Sequence, residues 1–366
     1  MSKLKSIKML RNLTFSVLCL LLFSHCTQEK SDIRVVCETA LSGCYKIKWE
    51  IFPPMEGMVK IYESSVPDSF NLSFPITETE ISKGFKDVLL AQSARRRYFK
   101  LVFNKKYSVI TAERTIPMQG LFNFRDLGGY YTANGKQTQW GKLYRSSSLA
   151  RATLWDARIL RNLGIKTVID FRTDKERYDA PSRYLNKSTF NFPLRGNPYN
   201  VYFSKILSKE MKAGDVKEYA QEMFTFLLKN NSDYFIKMFD ILLDADNYPV
   251  LIGCSSGNDR SGVASALILA ALDIDLDQIT GDYMLSNEHE RVNLDTYLSN
   301  LFKEYVYLQD PEIQETITAL RRVHKSTITY SFDIVIKEYG SLDNYFTTVL
   351  DLPPKKREKL KEIVLY

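Results

Sequence analysis

The chain has 366 residues, 45% of them hydrophobic and 25% charged, and carries a formal net charge of +7 from 50 Lys and Arg against 43 Asp and Glu. This is ordinary globular material, long enough for two domains. Three histidines are too few for a His-rich metal site or a Ser–His–Asp triad, and no polybasic block with interleaved aromatics argues for nucleic acid, so neither a metal nor another cofactor is expected.

The first residues stand apart. Lys3, Lys5, Lys8 and Arg11 precede the apolar run Leu13 to Phe23, and Ser24-His25-Cys26 follows. A basic start and a short apolar core predict a secretory signal over residues 1–25, too short for a comfortable membrane span. Cys26 resembles the lipidated cysteine of bacterial lipoproteins, which implies an exported protein anchored by lipid to the bacterial cell envelope; cleavage without lipidation is the alternative. Losing residues 1–25 removes four positive charges and no negative ones, so +7 becomes +3 and the mature chain is only mildly basic. Cys37 and Cys44, with six residues between them, would bridge in an exported protein if they lie on neighbouring strands; two small buried thiols are the other reading, and both stay open.

Residues 32–113 alternate with a period of two. Tyr45, Ile47, Trp49 and Ile51 share one face, with Lys46, Lys48 and Glu50 on the other. The runs Tyr98 to Phe103 and Tyr107 to Thr111 flank Asn104-Lys105-Lys106 as a hairpin. The expectation is a small all-β sandwich of the fibronectin or immunoglobulin type, acting as a spacer between membrane and enzyme, with ligand binding as the alternative.

From residue 118 to 366 strands alternate with helices. Leu143-Tyr144-Arg145 and Lys166 to Asp170 read as strands with a helix at Leu154–Leu163 between them. Residues 215–245 read as helical, with Tyr219, Met223, Phe226 and Leu227 on one stripe, and Pro353-Pro354 opens a last helix. This predicts an α/β domain with a central, mostly parallel sheet, flanked by helices, that binds ligands at the carboxyl ends of its strands.

One such end carries the chemistry. The apolar run Val250-Leu251-Ile252 leads to Gly253-Cys254, the turn Ser255-Ser256-Gly257-Asn258-Asp259 follows, and Arg260-Ser261-Gly262 opens a helix-like segment. A strand–loop–helix unit of this kind points backbone N–H groups at one spot, reinforced by the helix dipole, and so cradles a dianion. The same donors favour an anion on the Cys254 sulfur. The planar guanidinium of Arg260 is suited to clamping phosphate oxygens.

The loop resembles the signature loop of cysteine-dependent protein tyrosine phosphatases, and more closely that of bacterial secreted tyrosine phosphatases of dual or triple specificity. Further segments fit that family in order: Asn123 to Tyr130, Gly141 to Ser147, Gly164 to Glu176, Asp282 to Asn287, Tyr339-Gly340-Ser341 and Asn344-Tyr345-Phe346. Gly253 stands where the family has His, and Asn258 where it has Lys in the loop.

The resemblance implies a phosphatase that works through a phosphocysteine on Cys254. The N–H groups of Ser255, Ser256, Gly257, Asn258, Asp259 and Arg260, with the Arg260 side chain, would bind the phosphate, and Ser261 would ease departure of the sulfur. The general acid is ambiguous: Asp170, at a strand end, ranks first, Asp259 second, and Asp126 reads as structural. Arg125, Arg145 and Arg172 read as scaffold ion-pair residues. The substrate is a phosphorylated protein or a small phosphomonoester. Protein phosphotyrosine leads, with phosphoinositides or inositol phosphates as the alternative, and phospho-ligand binding without turnover is carried beside them. Oligomeric state is left open.

Overall fold

The computed structural model describes residues 31–41, 43–91, 95–184, 188–195 and 199–366. Residues 1–25, expected to be a secretory signal, and Cys26 lie outside the described residues.

Seven strands come first: β1 (Asp32–Leu41), β2 (Cys44–Phe52), β3 (Met58–Ser64), β4 (Thr77–Glu80), β5 (Phe85–Leu89), β6 (Tyr98–Phe103) and β7 (Tyr107–Ala112). They form two antiparallel sheets, β1-β2-β5 and β4-β3-β6-β7. Period-two alternation turns Ile33, Val35, Cys37, Ile47 and Trp49 of one sheet against Val59, Ile61, Phe99, Leu101 and Phe103 of the other, in one buried cluster. Asn104 and Lys105 take positive φ values of 48° and 59° in the β6–β7 turn, the backbone hand that suits a tight hairpin.

Cys37 and Cys44 are both free thiols, so the bridge weighed from the sequence is not made. The register gives the reason. Cys37 faces Ile47 and Cys44 faces Leu41, which sets the two three positions apart along the ladder. That is about 10 Å at the rise of a strand, beyond the roughly 7 Å a disulfide can span between Cα atoms. Burial pushes the Cys37 thiol up, as expected of a small core residue.

The second unit contains β8 (Arg125–Asp126), β9 (Leu143–Ser146), α1 (Leu154–Asn162), β10 (Thr167–Asp170), α2 (Asp174–Asp179), β11 (Ser188–Asn191), α3 (Tyr199–Leu207), α4 (Val216–Asn230), α5 (Ser232–Leu242) and β12 (Val250–Gly253). It continues with α6 (Arg260–Ala271), α7 (Leu276–Glu304), α8 (Pro311–Leu320), α9 (Lys325–Tyr339), α10 (Leu342–Thr348) and α11 (Pro354–Val364). The sheet order is β11-β10-β12-β9-β8, with β9, β12, β10 and β11 parallel and the two-residue β8 antiparallel at the edge. Helices cover both faces. Val250 and Ile252 join one buried cluster with α4, α5 and α6, while Leu251 joins the opposite one with Tyr144, Leu160 and Val168. This two-sided burial is why β12 reads as a continuous apolar run.

Two details depart from expectation. The helix expected over residues 215–245 is two helices, because Asn231 leaves helical geometry (φ −131°, ψ 26°) and turns its amide onto Arg195 N–H and the carbonyls of Arg195 and Leu227. Phe226 faces solvent, and Phe224 takes the buried place on that stripe.

The β unit packs directly against the second unit. Tyr98 and Ala112 share a buried cluster with Trp140, whose Nε1–H donates to Ile110 O at 2.9 Å. Glu113 sits at this junction. Burial raises its carboxyl to about 7 against the pull of Arg96. Folding therefore favours the protonated form, and the stability it contributes is present below the ordinary glutamate range and lost as pH rises through about 7. Glu113→Gln should melt increasingly above wild type between pH 5 and pH 8. Thermal denaturation across that range checks this, and parallel curves would refute it.

Candidate active site

The turn between β12 and α6 places Cys254 at the carboxyl end of the central strand, buried to 1% exposure. The Gly257 N–H points at its Sγ from 3.2 Å. Gly257 has φ +82°, and a Cβ there would lie 2.8 Å from Ser146 C, Ser146 O and Ser147 N. Both the backbone hand and the close approach of β9 therefore require glycine. At Gly262 a Cβ would press on the Tyr283 ring at 3.0 Å, so the glycine after Ser261 lets α6 start hard against α7. The Ser261 hydroxyl is buried at that start and has no hydrogen-bond partner among the described residues.

For loop N–H groups to face an anion, loop carbonyls must face elsewhere, and buried donors collect them. Arg145 Nη2 donates to Gly257 O at 2.6 Å and to Asn258 O at 3.3 Å, and Asn123 Nδ2 donates to Gly257 O at 3.0 Å. Arg145 Nη1 is tied at 2.8 Å to Asp282 Oδ2, while Arg125 grips the same carboxylate through Nε at 2.9 Å and Nη2 at 3.1 Å. Tyr130 Oη donates to Asp282 Oδ1 at 2.8 Å. Arg125, Arg145 and Asp282 are all buried, so Arg125 and Arg145 are scaffold, as the sequence suggested.

The side chain of Asn258, at the position expected to help bind phosphate, is turned inward. Its Oδ1 accepts from Asn123 Nδ2 at 2.7 Å, and its N–H donates to Ser256 Oγ at 3.3 Å. The Asn258 side chain thus forms a clasp between the loop and the turn before β8. At Gly253, where the family has histidine, a Cβ would meet only Ser147 O at 3.5 Å and Ser146 O at 3.9 Å, so nothing steric demands glycine.

Arg260 is not an open fork. Nη1 donates to Glu176 Oε2 at 2.7 Å and to Phe171 O at 3.2 Å; Nη2 donates to Glu176 Oε1 at 2.8 Å and to Ser255 Oγ at 3.0 Å. The Ser255 hydroxyl in turn donates to Glu176. Burial alone would raise the Glu176 carboxyl, but the hydrogen bonds and charge of Arg260, with Ser255 and the Thr173 N–H, bring it down to about 2. Sequence reasoning gave Glu176 no role of its own. Its visible signal is a capping box, Thr173 to Glu176, which starts α2 and hides the second duty of the same carboxylate.

The two acid candidates separate. Asp170 pairs with Gly253 across the β10–β12 ladder, beside the loop, but Arg172 engages its carboxylate through Nε at 3.0 Å and 3.1 Å and Nη2 at 2.8 Å. Asp259 caps the start of α6 without a side-chain capping bond. Burial raises its carboxyl above the ordinary aspartate value, against the pull of Arg260, Arg321 and Arg145. Asp126, read as structural, is buried and accepts from Gly128 N and Gly141 N, each at 2.7 Å.

Known proteins resemble the second unit of the chain. Residues 116–366 match a family model described as the tyrosine phosphatase family. The triple specificity protein phosphatase PtpB of Mycobacterium tuberculosis is 27% identical over 265 residues, which covers 64% of this chain and 92% of that protein. A Cupriavidus necator protein with a provisional tyrosine-protein phosphatase name is 27% identical over 235 residues, covering 63% of this chain and 82% of its own length. Among solved structures, the catalytic core of the PP-IP phosphatase Siw14 of S. cerevisiae aligns with a TM-score of 0.27 at 16% identity, over 47% of this chain and 78% of that one. The family match begins after the β unit.

The loop geometry is directly testable at Gly257. Gly257→Ala forces a side chain into the β9 backbone and a disfavoured φ, so the loop must open. Phosphate release from an aryl phosphate should fall by about 10²-fold or more, the scale for lost oxyanion-type donors. A variant that folds and retains wild-type turnover would show that the Gly257 N–H is not part of the cradle.

Proposed function

Because the chain belongs to the tyrosine phosphatase family, we propose that it hydrolyses phosphomonoesters, protein phosphotyrosine foremost, through a phosphocysteine on Cys254. The observation that carries this is the Gly257 N–H aimed at Cys254 Sγ while Arg145 holds the Gly257 and Asn258 carbonyls on the opposite side.

The Cys254 sulfur attacks phosphorus in line with the ester oxygen, forming S–P as the P–O bond breaks. Loop N–H groups hold the equatorial oxygens. Arg260 contributes its Nε–H, and a phosphate oxygen replaces Ser255 Oγ on Nη2, with Glu176 keeping the guanidinium plane fixed throughout. Asp259 donates the proton that the departing oxygen needs. Its burial keeps it protonated to higher pH than an ordinary aspartate, whereas Asp170 is committed to Arg172. Water then attacks the phosphocysteine, its proton passes to Asp259, and the sulfur leaves with a hydrogen bond from Ser261. The name of the Mycobacterium tuberculosis relative supports extending the substrate range beyond phosphotyrosine.

Cys254→Ser should abolish turnover of aryl and alkyl phosphates alike. Asp259→Asn should slow poor leaving groups by about 10²–10⁴-fold while nearly sparing activated aryl esters, and should flatten the alkaline limb of the pH profile. Asp170→Asn should affect both substrate types equally. If Asp170→Asn shows the leaving-group dependence and Asp259→Asn does not, the two roles exchange.

We further propose that the protein is exported and held at the cell envelope by lipid on Cys26, which rests on the basic start and apolar core before it. Intact-mass analysis of membrane-extracted protein should find a chain starting at Cys26 with added acyl mass; an unmodified start elsewhere would leave a secreted enzyme.

A further inference from the structure

We propose that Arg96, from the β unit, is a positioning residue for the phosphate loop and acts across the domain boundary through Asp126. The inference rests on the phosphatase reading of that loop.

Arg96 lies just before β6 and is 9% exposed. Its guanidinium sits 4.9, 5.7 and 5.8 Å from the ring centres of Tyr98, Trp140 and Tyr144, two of them residues of the phosphatase unit. Nη2 donates to Glu113 O at 2.8 Å. Nη1 donates to Tyr144 Oη at 3.2 Å and to Tyr98 Oη at 3.4 Å, and forms an ion pair with Asp126. Asp126 is fully buried, and among the described residues Arg96 is its one ion-pair partner. A buried carboxylate needs such a counter-charge. The phosphatase unit leaves it to a residue that the family match does not include.

Asp126 controls more than its own turn. It is half of the two-residue edge strand β8, whose other half is Arg125, and the register sets Arg125 opposite Arg145 and Asp126 opposite Tyr144. The Asp126 carboxylate ties β8 to the start of β9 through the Gly141 N–H. Arg114, at the end of the β unit, clasps the same turn from Nη1 to Asp126 O at 2.9 Å and Gly128 O at 2.7 Å. So short a strand has little ladder of its own, and these contacts set where Arg125 lies beside Arg145. Both arginines meet on Asp282, and Arg145 holds the Gly257 carbonyl. The path from Arg96 to the loop therefore runs through the buried Arg96–Asp126 ion pair, the backbone of β8 from Asp126 to Arg125, and the buried ion pairs of Asp282 that end on the Arg145 hydrogen bond to Gly257 O.

The test uses the full chain and reads the loop itself. Orthovanadate affinity and the rate of Cys254 alkylation by iodoacetamide are measured for wild type, Arg96→Met, Arg96→Lys and Arg34→Ala, well below each melting temperature. Arg34→Ala removes a different contact between the two units, the stacking of Arg34 on Tyr131 at 4.4 Å. Arg96→Met should weaken vanadate binding about tenfold, within the range of coupling carried by packed networks. It should also slow alkylation, with Arg96→Lys between it and wild type and Arg34→Ala unchanged. Wild-type vanadate affinity in Arg96→Met, or in Arg96→Lys should the former not fold, overturns the proposal even if the melting temperature drops. Equal losses in Arg34→Ala overturn it too, since docking in general would then be responsible. If wild type itself neither binds vanadate nor is protected by it from alkylation, the phosphatase reading fails instead.

Discussion

The Asp282 carboxylate, shared by Arg125 and Arg145 in the interior, is the contact on which the site depends. Strand register sets the two arginines side by side, where like charges repel, and α7 supplies the anion that reconciles them. Burial alone would raise the Asp282 carboxyl, yet the two guanidiniums hold it well below the usual carboxylate range; burial and the neighbouring Arg125 bring Arg145 down to about 10. Breaking such a buried pair typically costs about 3–5 kcal/mol, because the surviving charges are left without partners. Here the arrangement also leaves Arg145 one nitrogen to turn on the loop, so a stability element and a site-shaping element are the same group.

The loop is held from two sides by different chemistry. From beneath, Arg145 and Asn123 take its carbonyls, which forces its amides toward the anion position. From the flank, Glu176 grips Arg260 with both oxygens and takes the Ser255 hydroxyl as well, while the same carboxylate caps α2. Donors fixed before the substrate arrives need no reorganisation as charge develops, which is where such sites gain most of their rate. Asn258 belongs to this stiffening. Its amide binds the loop to Asn123, which also donates to Ser286 of α7 and accepts from Arg125.

The β unit and the phosphatase unit meet through aromatic rings and buried charge. Trp140 lies against Tyr98 and Ala112, and Arg114 stacks on Tyr130 at 3.9 Å while its Nη1 reaches two carbonyls of the turn after β8. Tyr130 carries its hydroxyl to Asp282. The boundary between the two folds thus lies one residue away from the ion network under the loop.

The sequence alone determined what depends on local pattern. Period-two alternation in residues 45–51 places Ile47 and Trp49 in a β core, and the apolar run before Cys254 becomes the central buried strand, because side-chain periodicity and two-sided burial are written residue by residue. Cys254, the glycine of the turn at Gly257 and the arginine that opens α6 are legible as one unit for the same reason: one strand–loop–helix segment contains them all. Tertiary structure decided everything that needs a distant partner. Asp170 and Asp259 are equivalent as letters, and they separate only because Arg172 engages the first while burial raises the second. Glu176 reads as a helix cap until the fold carries it to Arg260, 84 positions away. The disulfide between Cys37 and Cys44 fails on a register that spacing does not reveal, and Arg96 looks like any surface cation of a β domain until the packing of two units buries it against Asp126. Such contacts depend on how elements meet, a property of the folded chain's geometry that no local window of residues contains.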